Sequence, residues 1–179
     1  DIKSADFKDV ELLKKLIEYQ VSTLNSLYEI REKFLEEKKQ TGKQLARQKV
    51  KKAAESIDEL IKKGVQFNGL KIVTSEFDVD NMDELKEIGD VLRSKITSGV
   101  GLLYSIIDNK INLVAVVSDN LIKEKGLNAG KIANDIAKIL GGGGGGRPHL
   151  ATAGGKDIKK LNEALSKVGQ IIQNYLNKK

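Results

Sequence analysis

Residues 141–155 read GGGGGGRPHLATAGG: six consecutive glycines, then the chain's only proline and histidine, then a second glycine pair at Gly154-Gly155. Glycine loses more backbone freedom on folding than any other residue. At roughly 0.5–1 kcal/mol against alanine within an element, the run from Gly141 to Gly146 gives up on the order of 3–6 kcal/mol. That is a large share of a domain's net stability. Two readings account for such a cost: a flexible linker, or a bare backbone that must approach something closely, such as a phosphate chain. Linkers are usually mixed with serine and join self-sufficient units. Here residues 147–179 are too few for an independent core in a chain without cysteine. Close approach is the expectation.

Two familiar phosphate loops are excluded by context. Gly141, Gly143 and Gly146 satisfy G-x-G-x-x-G, as any six glycines do, but that fingerprint follows a strand and opens a helix. This run follows a helical pattern and opens onto Arg147-Pro148. A Walker A reading ending at Gly155-Lys156 puts Leu150 in place of the first glycine and Asp157 in place of the magnesium-binding hydroxyl. What remains is a concavity of backbone N–H groups from Gly141, Gly142, Gly143, Gly144, Gly145 and Gly146, with Arg147 as a charged fork for phosphate. The plainer reading of Arg147 is a surface arginine paired with a local carboxylate. Pro148 sets the exit of the chain. Ala151, Thr152 and Ala153 read as a short extended piece that allows close approach. His149 is the sole histidine, so neither a histidine-rich metal site nor a nucleophile–base–acid set can be assembled around it. It reads as a loop residue or a polar RNA contact.

Working upstream, Asn128 to Leu140 is a small-residue helix, and Ser118-Asp119 opens a polar helical turn. Val100 to Ile107 and Lys110 to Val117 are strands joined by a tight turn at Asp108-Asn109. Asp80 or Asn81 caps a helix to about Ile96, with Leu85, Ile88, Val91 and Leu92 on one side. Leu70 to Thr74 is a β-branched strand that can begin as early as Val65. Downstream, Lys156-Asp157 starts a final helix through Ile158, Leu161, Leu165, Val168, Ile172 and Tyr175. This part, residues 64–179, is α+β or α/β: a mixed sheet flanked by helices.

Residues 1–63 form a helical arm. Phe7, Val10, Leu13, Ile17, Val21, Leu24, Tyr28 and Leu35 recur at helical spacing apart from one skipped turn. Thr41-Gly42 interrupts that pattern and predicts a helix end. A second coiled-coil-like stripe follows at Ala46, Val50, Ala53, Ile57 and Leu60, stopped by Gly64.

Charge placement says more than the net +6. Lys38, Lys39, Lys43, Arg47, Lys49, Lys51 and Lys52 occupy residues 38–54 with no acidic residue among them. That cluster reads either as a solvated helix face or as a surface for a polyanion; the exclusion of Asp and Glu favours a nucleic-acid partner. Without cysteine there is no disulfide, thiol catalysis or zinc-thiolate site. No apolar stretch approaches a membrane span and no signal peptide opens the chain, so a cytoplasmic protein without a membrane partner is expected. The absence of an initial methionine reads as an excised piece of something longer.

The whole motif, GGGGGGRPHLATAGG, resembles the glycine-rich signature near the C-terminus of alanyl-tRNA synthetases. A looser version occurs in the DHH-associated domain of phosphoesterases. Phe67-Asn68-Gly69-Leu70-Lys71-Ile72-Val73 and the strand Leu113 to Ser118 agree with it, so the resemblance spans about Gln66 to Val168. His149 departs from it, standing where the family commonly has an acidic residue. The resemblance implies a non-catalytic C-terminal (C-Ala) domain that binds the tRNA's outer corner and helps aminoacylation and editing share one tRNA. It implies that ATP, magnesium and zinc belong to preceding domains and that this piece holds no cofactor. The residues expected at nucleic acid are Lys43, Arg47, Lys49, Lys51, Lys52, Gly141–Gly146, Arg147, His149 and Thr152. Partners are tRNA, other nucleic acid such as single-stranded DNA, and a second copy through the arm or the globular part. Two alternatives stay open: the substrate-binding part of a DHH-type phosphoesterase, and a domain that serves mainly as a dimerisation arm.

Overall fold

The computed structural model describes residues 2–177, with side chains from Asp9 to Asn177. The elements in order are α1 (Ile2–Lys63), β1 (Val65–Phe67), β2 (Leu70–Glu76), α2 (Met82–Lys95), β3 (Gly99–Ile107) and β4 (Lys110–Val117). They continue with α3 (Asp119–Lys125), α4 (Ala129–Ile139), β5 (Gly143–Gly146) and β6 (Leu150–Gly155). A 3-10 turn at Ile158–Lys160 leads to α5 (Leu161–Ser166) and α6 (Val168–Leu176).

The expected break at Thr41-Gly42 is absent: α1 is one continuous helix. A break there would strand up to four N–H and four C=O groups at the new ends, whereas one glycine in a helix costs about 1 kcal/mol. Thr41 adapts by donating its hydroxyl to the Glu37 carbonyl at 2.8 Å, and the long straight-chain residues on either side are good helix formers. The chain divides into two compact units, Asp1–Leu45 and Ala46–Lys179. In the first, every described side chain is exposed, including the stripe of Leu13, Ile17, Leu24 and Tyr28. Phe7 of that stripe lies outside the residues whose side chains are described. The second unit begins inside α1, ahead of residue 64, because Ala53 and Ile57 are buried in its core.

That unit is built on a six-stranded sheet in the order β1-β2-β3-β4-β6-β5. Only β2 and β3 are parallel, and α2 supplies the crossover that a parallel pair requires. The mixed sheet flanked by helices agrees with the sequence reading. Alternation along β4 splits the core: Ile111, Leu113, Ala115 and Val117 pack with α4, α5 and α6. Val114 and Val116 face α2 and the last turns of α1. Asp108 and Asn109 both hold positive φ, 49° and 57°, as a tight two-residue hairpin requires. Asn81 caps α2, accepting from the amides of Asp83 and Glu84 at 3.0 Å each. Glu84 reaches back to the Asp80 amide at 3.2 Å, which completes a reciprocal cap.

The single C-terminal helix expected from Lys156 onward is three pieces instead. Ser166 gives its hydroxyl to the Glu163 carbonyl at 2.7 Å, local competition of the kind that loosens a helix. Leu161, Ala164, Val168 and Ile172 are nonetheless all buried. Tyr175 donates to Asp135 of α4 at 2.5 Å. Burial first, and then that carboxylate, push its pKa up to about 12. A tyrosine whose folded pKa is raised stabilises fully below its unfolded value near 10, and the contribution is lost as pH climbs from there through about 12. Tyr175→Phe is therefore expected to make unfolding less sensitive to pH between about 10 and 12. Urea midpoints measured across that window check it, and identical slopes for the two proteins would refute it.

Candidate nucleic-acid interface

The glycine run does not form the loop that the sequence suggests. Gly143–Gly146 is a strand, β5, at the sheet edge, paired with β6 so that Gly143 lies opposite Gly154 and Gly145 opposite Thr152. Its ends are tied to α4. Gly142 donates to the Ala137 carbonyl at 2.8 Å, and Lys156 and Asp157 both donate to Leu140 at 2.9 and 3.0 Å. At the other end Ala129, the first residue of α4, donates to the Pro148 carbonyl at 2.8 Å. Close packing explains part of the run. A Cβ on Gly142 would lie 1.9 Å from the Gly154 carbonyl oxygen, and one on Gly144 would lie 2.4 Å from the Ala153 methyl. Gly141, at φ +67°, turns the chain out of α4.

The expected site residues fall in two sets on different elements. Gly141 through Gly146, Arg147, His149 and Thr152 belong to one hairpin. All six glycines and Arg147 are exposed, while His149 and Thr152 are half-buried. The backbone of the turn is held by the Arg147 amide donating to Leu150 at 3.0 Å and by the His149 carbonyl accepting from Val117 at 3.0 Å. The turn that presents Arg147 is thus braced by β4 and β6.

The second set lies on α1. Arg47, Lys49, Lys51 and Lys52 belong to the second unit, and Lys43 to the first. Arg47, Lys51 and Lys52 are exposed, and none has a carboxylate within ion-pair distance among the described residues. Lys49 differs: its ammonium sits 2.8 Å from Asp80. The hydrogen bond to that carboxylate holds its pKa above the ordinary lysine value. Its charge is already engaged, which a run of basic residues cannot reveal because Asp80 is distant in sequence.

Two lysines were not singled out by the motif. Lys110 opens β4 and Lys156 follows β6, and with Asn112 they border the hairpin at Gly143 and Gly154. The only sequence signal was the position of Lys156 directly after Gly155. No group of three or more His, Cys, Asp or Glu residues that could hold a metal occurs among the described residues. No helix among them is long and apolar enough to cross a membrane.

This is a helix-led α/β domain whose sheet ends in a strand of bare glycine. The chain belongs to the DHHA1 domain family, whose model matches residues 69–174. The alanine–tRNA ligase of Clostridioides difficile is 38% identical over 143 residues, covering 80% of this chain and 16% of that protein. The alanine–tRNA ligase of Natranaerobius thermophilus is 36% identical over 177 residues, covering 99% of this chain and 19% of that protein. The crystal structure of the C-Ala domain from Aquifex aeolicus alanyl-tRNA synthetase superposes with a TM-score of 0.55 at 30% identity. That match covers 60% of this chain and 96% of that one. The chain is thus homologous to the C-terminal domain of alanyl-tRNA synthetases while spanning under a fifth of the length of these two ligases.

Proposed function

We infer that this chain is the tRNA-binding accessory domain of an alanine–tRNA ligase, contacting the tRNA's outer corner and helping aminoacylation and editing use one bound tRNA. The observation that carries this reading is the 30% identity with a C-Ala domain across 96% of its length. The exposed, uncompensated Arg47, Lys51 and Lys52 supply the matching chemistry. Phosphate contacts would dominate affinity and make it salt-dependent, and recognition of a folded RNA would rest on shape and backbone rather than base sequence. On this reading the domain itself is not catalytic. ATP, magnesium and zinc chemistry belongs to other parts of the ligase, and the protein works in the cytoplasm.

Fluorescence titration with alanine tRNA, a second tRNA and single-stranded DNA across several salt concentrations tests it. Binding of both tRNAs with a steep salt slope is expected. Absence of binding to either tRNA at low salt would sink the reading.

One observation favours a second role. The stripe Leu13, Ile17, Val21, Leu24 and Tyr28 is about half exposed, and an isolated helix gains most of its stability by packing such a face. Self-association through this helix would cover it. Sedimentation of the chain with and without residues 1–45 separates a dimer held by the helix from a monomer.

A further inference from the structure

The glycines of the hairpin divide by what lies opposite their missing side chains. A Cβ on Gly142, Gly144 or Gly146 would come within 1.9, 2.4 or 2.7 Å of an atom of β6, and Gly141 needs its positive φ. Internal geometry accounts for these four. It does not account for Gly143 and Gly145, where a Cβ would find nothing within 4 Å, or for Gly154, where the nearest atom is the Ile111 carbonyl oxygen at an ordinary 3.7 Å. None of the three has a φ that excludes other residues. Alanine at such positions would stabilise the fold by about 0.4–1 kcal/mol through the unfolded chain, so their bareness points outward.

The register puts these three glycines together. Gly143 is opposite Gly154, Gly145 is opposite Thr152, and Gly154 is in turn opposite Asn112. On the same face, α2 covers Val114 and Val116 of β4 and leaves the β5 residues exposed. The floor runs into a cleft of about 310 Å³ whose lining includes Lys110, Asn112 and Lys156 and no carboxylate. Both lysines are exposed, and neither has an acidic partner among the described residues.

We propose that this floor of Gly143, Gly145 and Gly154, with Lys110 and Lys156 at its end, seats the ribose–phosphate backbone of RNA. The bare strand lets a phosphate reach the main chain, and the two ammonium groups neutralise it as point charges. The site rests on the RNA-binding reading above. It adds residues of β4 and the end of β6 that the glycine motif does not contain.

The test titrates the full chain with alanine tRNA. Gly143→Val and Gly145→Val are expected to keep the wild-type unfolding midpoint, since their Cβ positions are open, yet weaken binding by about tenfold or more through lost phosphate approach. Lys110→Ala with Lys156→Ala, both at exposed positions, is expected to reduce the salt slope by about 1–2. If the wild type binds tRNA and all these folded variants bind equally well, the cleft is not a site while the RNA reading stands. If the wild type binds no tRNA, the reading falls and takes the cleft with it. Competition by polyglutamate as effective as by RNA of equal charge would overturn the assignment to RNA. Should the valine variants unfold, the lysine pair decides.

Discussion

The triple variant Arg47→Glu, Lys51→Glu, Lys52→Glu is expected to lose tRNA affinity by about 100-fold or more near physiological salt and to flatten its salt dependence by about 2–3 in slope. All three side chains are exposed and lack carboxylate partners among the described residues, so their charge is available to a polyanion. Reversal turns three attractions into repulsions, and each phosphate contact contributes about 0.9 to the slope on a duplex and about 0.7 on a single strand. The fold should tolerate the change, because glutamate is as good a helix former as lysine or arginine and surface substitutions usually stay within about 0.5 kcal/mol. Lys49 is left intact because it holds Asp80; reversing it would mix a folding effect into the binding measurement. Titration at three or more salt concentrations reads the slope directly. An unchanged slope would leave this segment of α1 a solvated face.

Gly142→Val is expected to cost about 3 kcal/mol or more of stability, at the upper end of what overpacking causes. The added Cβ would stand 1.9 Å from the Gly154 carbonyl oxygen and 2.8 Å from its carbon, main-chain atoms with no rotamer to yield. Strand β6 cannot easily retreat, since it is paired with β4 on its other side from Ile111 to Val116. The edge strand must therefore shift or detach, which exposes Ala151 and Ala153 of the core. Calorimetry should show the loss in the transition of the second unit, and a midpoint within a few degrees of wild type would refute the close-packing account. Gly143→Val one residue away is expected to leave the midpoint in place, so the pair of variants separates glycine needed by the fold from glycine open to a partner.

Much of the second unit was legible because local chemistry and tertiary packing agree there. Asn81 as the cap of α2, the Asp108-Asn109 turn, and the alternation of β4 each carry their own signal in a few adjacent residues. The misread elements are those where a local signal was outweighed. Thr41-Gly42 looks like a helix stop, but the cost of stranding backbone groups exceeds the cost of one poor helix former. The glycine run reads as a loop because glycine has no side chain with which to announce a strand. Its strand character comes from pairing with β6, which no property of residues 143–146 encodes. The same holds for the candidate site: the motif located Gly141 to Arg147 and Thr152. Lys110 and Asn112, however, reach the hairpin only through the pairing of β4 with β6.

By itself the sequence determined the class of the second unit, the identity of its elements, the uncompensated basic segment of α1, and the family signature at residues 141–155. Each of these depends on residues close together in the chain, where spacing and charge act directly. Only the tertiary structure decided that the glycines form an edge strand, that Lys49 is spent on Asp80, and that Gly143, Gly145 and Gly154 share one open face beside two lysines. Those facts depend on which distant segments come to lie side by side. Strand register and side-chain burial set that, and both are properties of the assembled sheet.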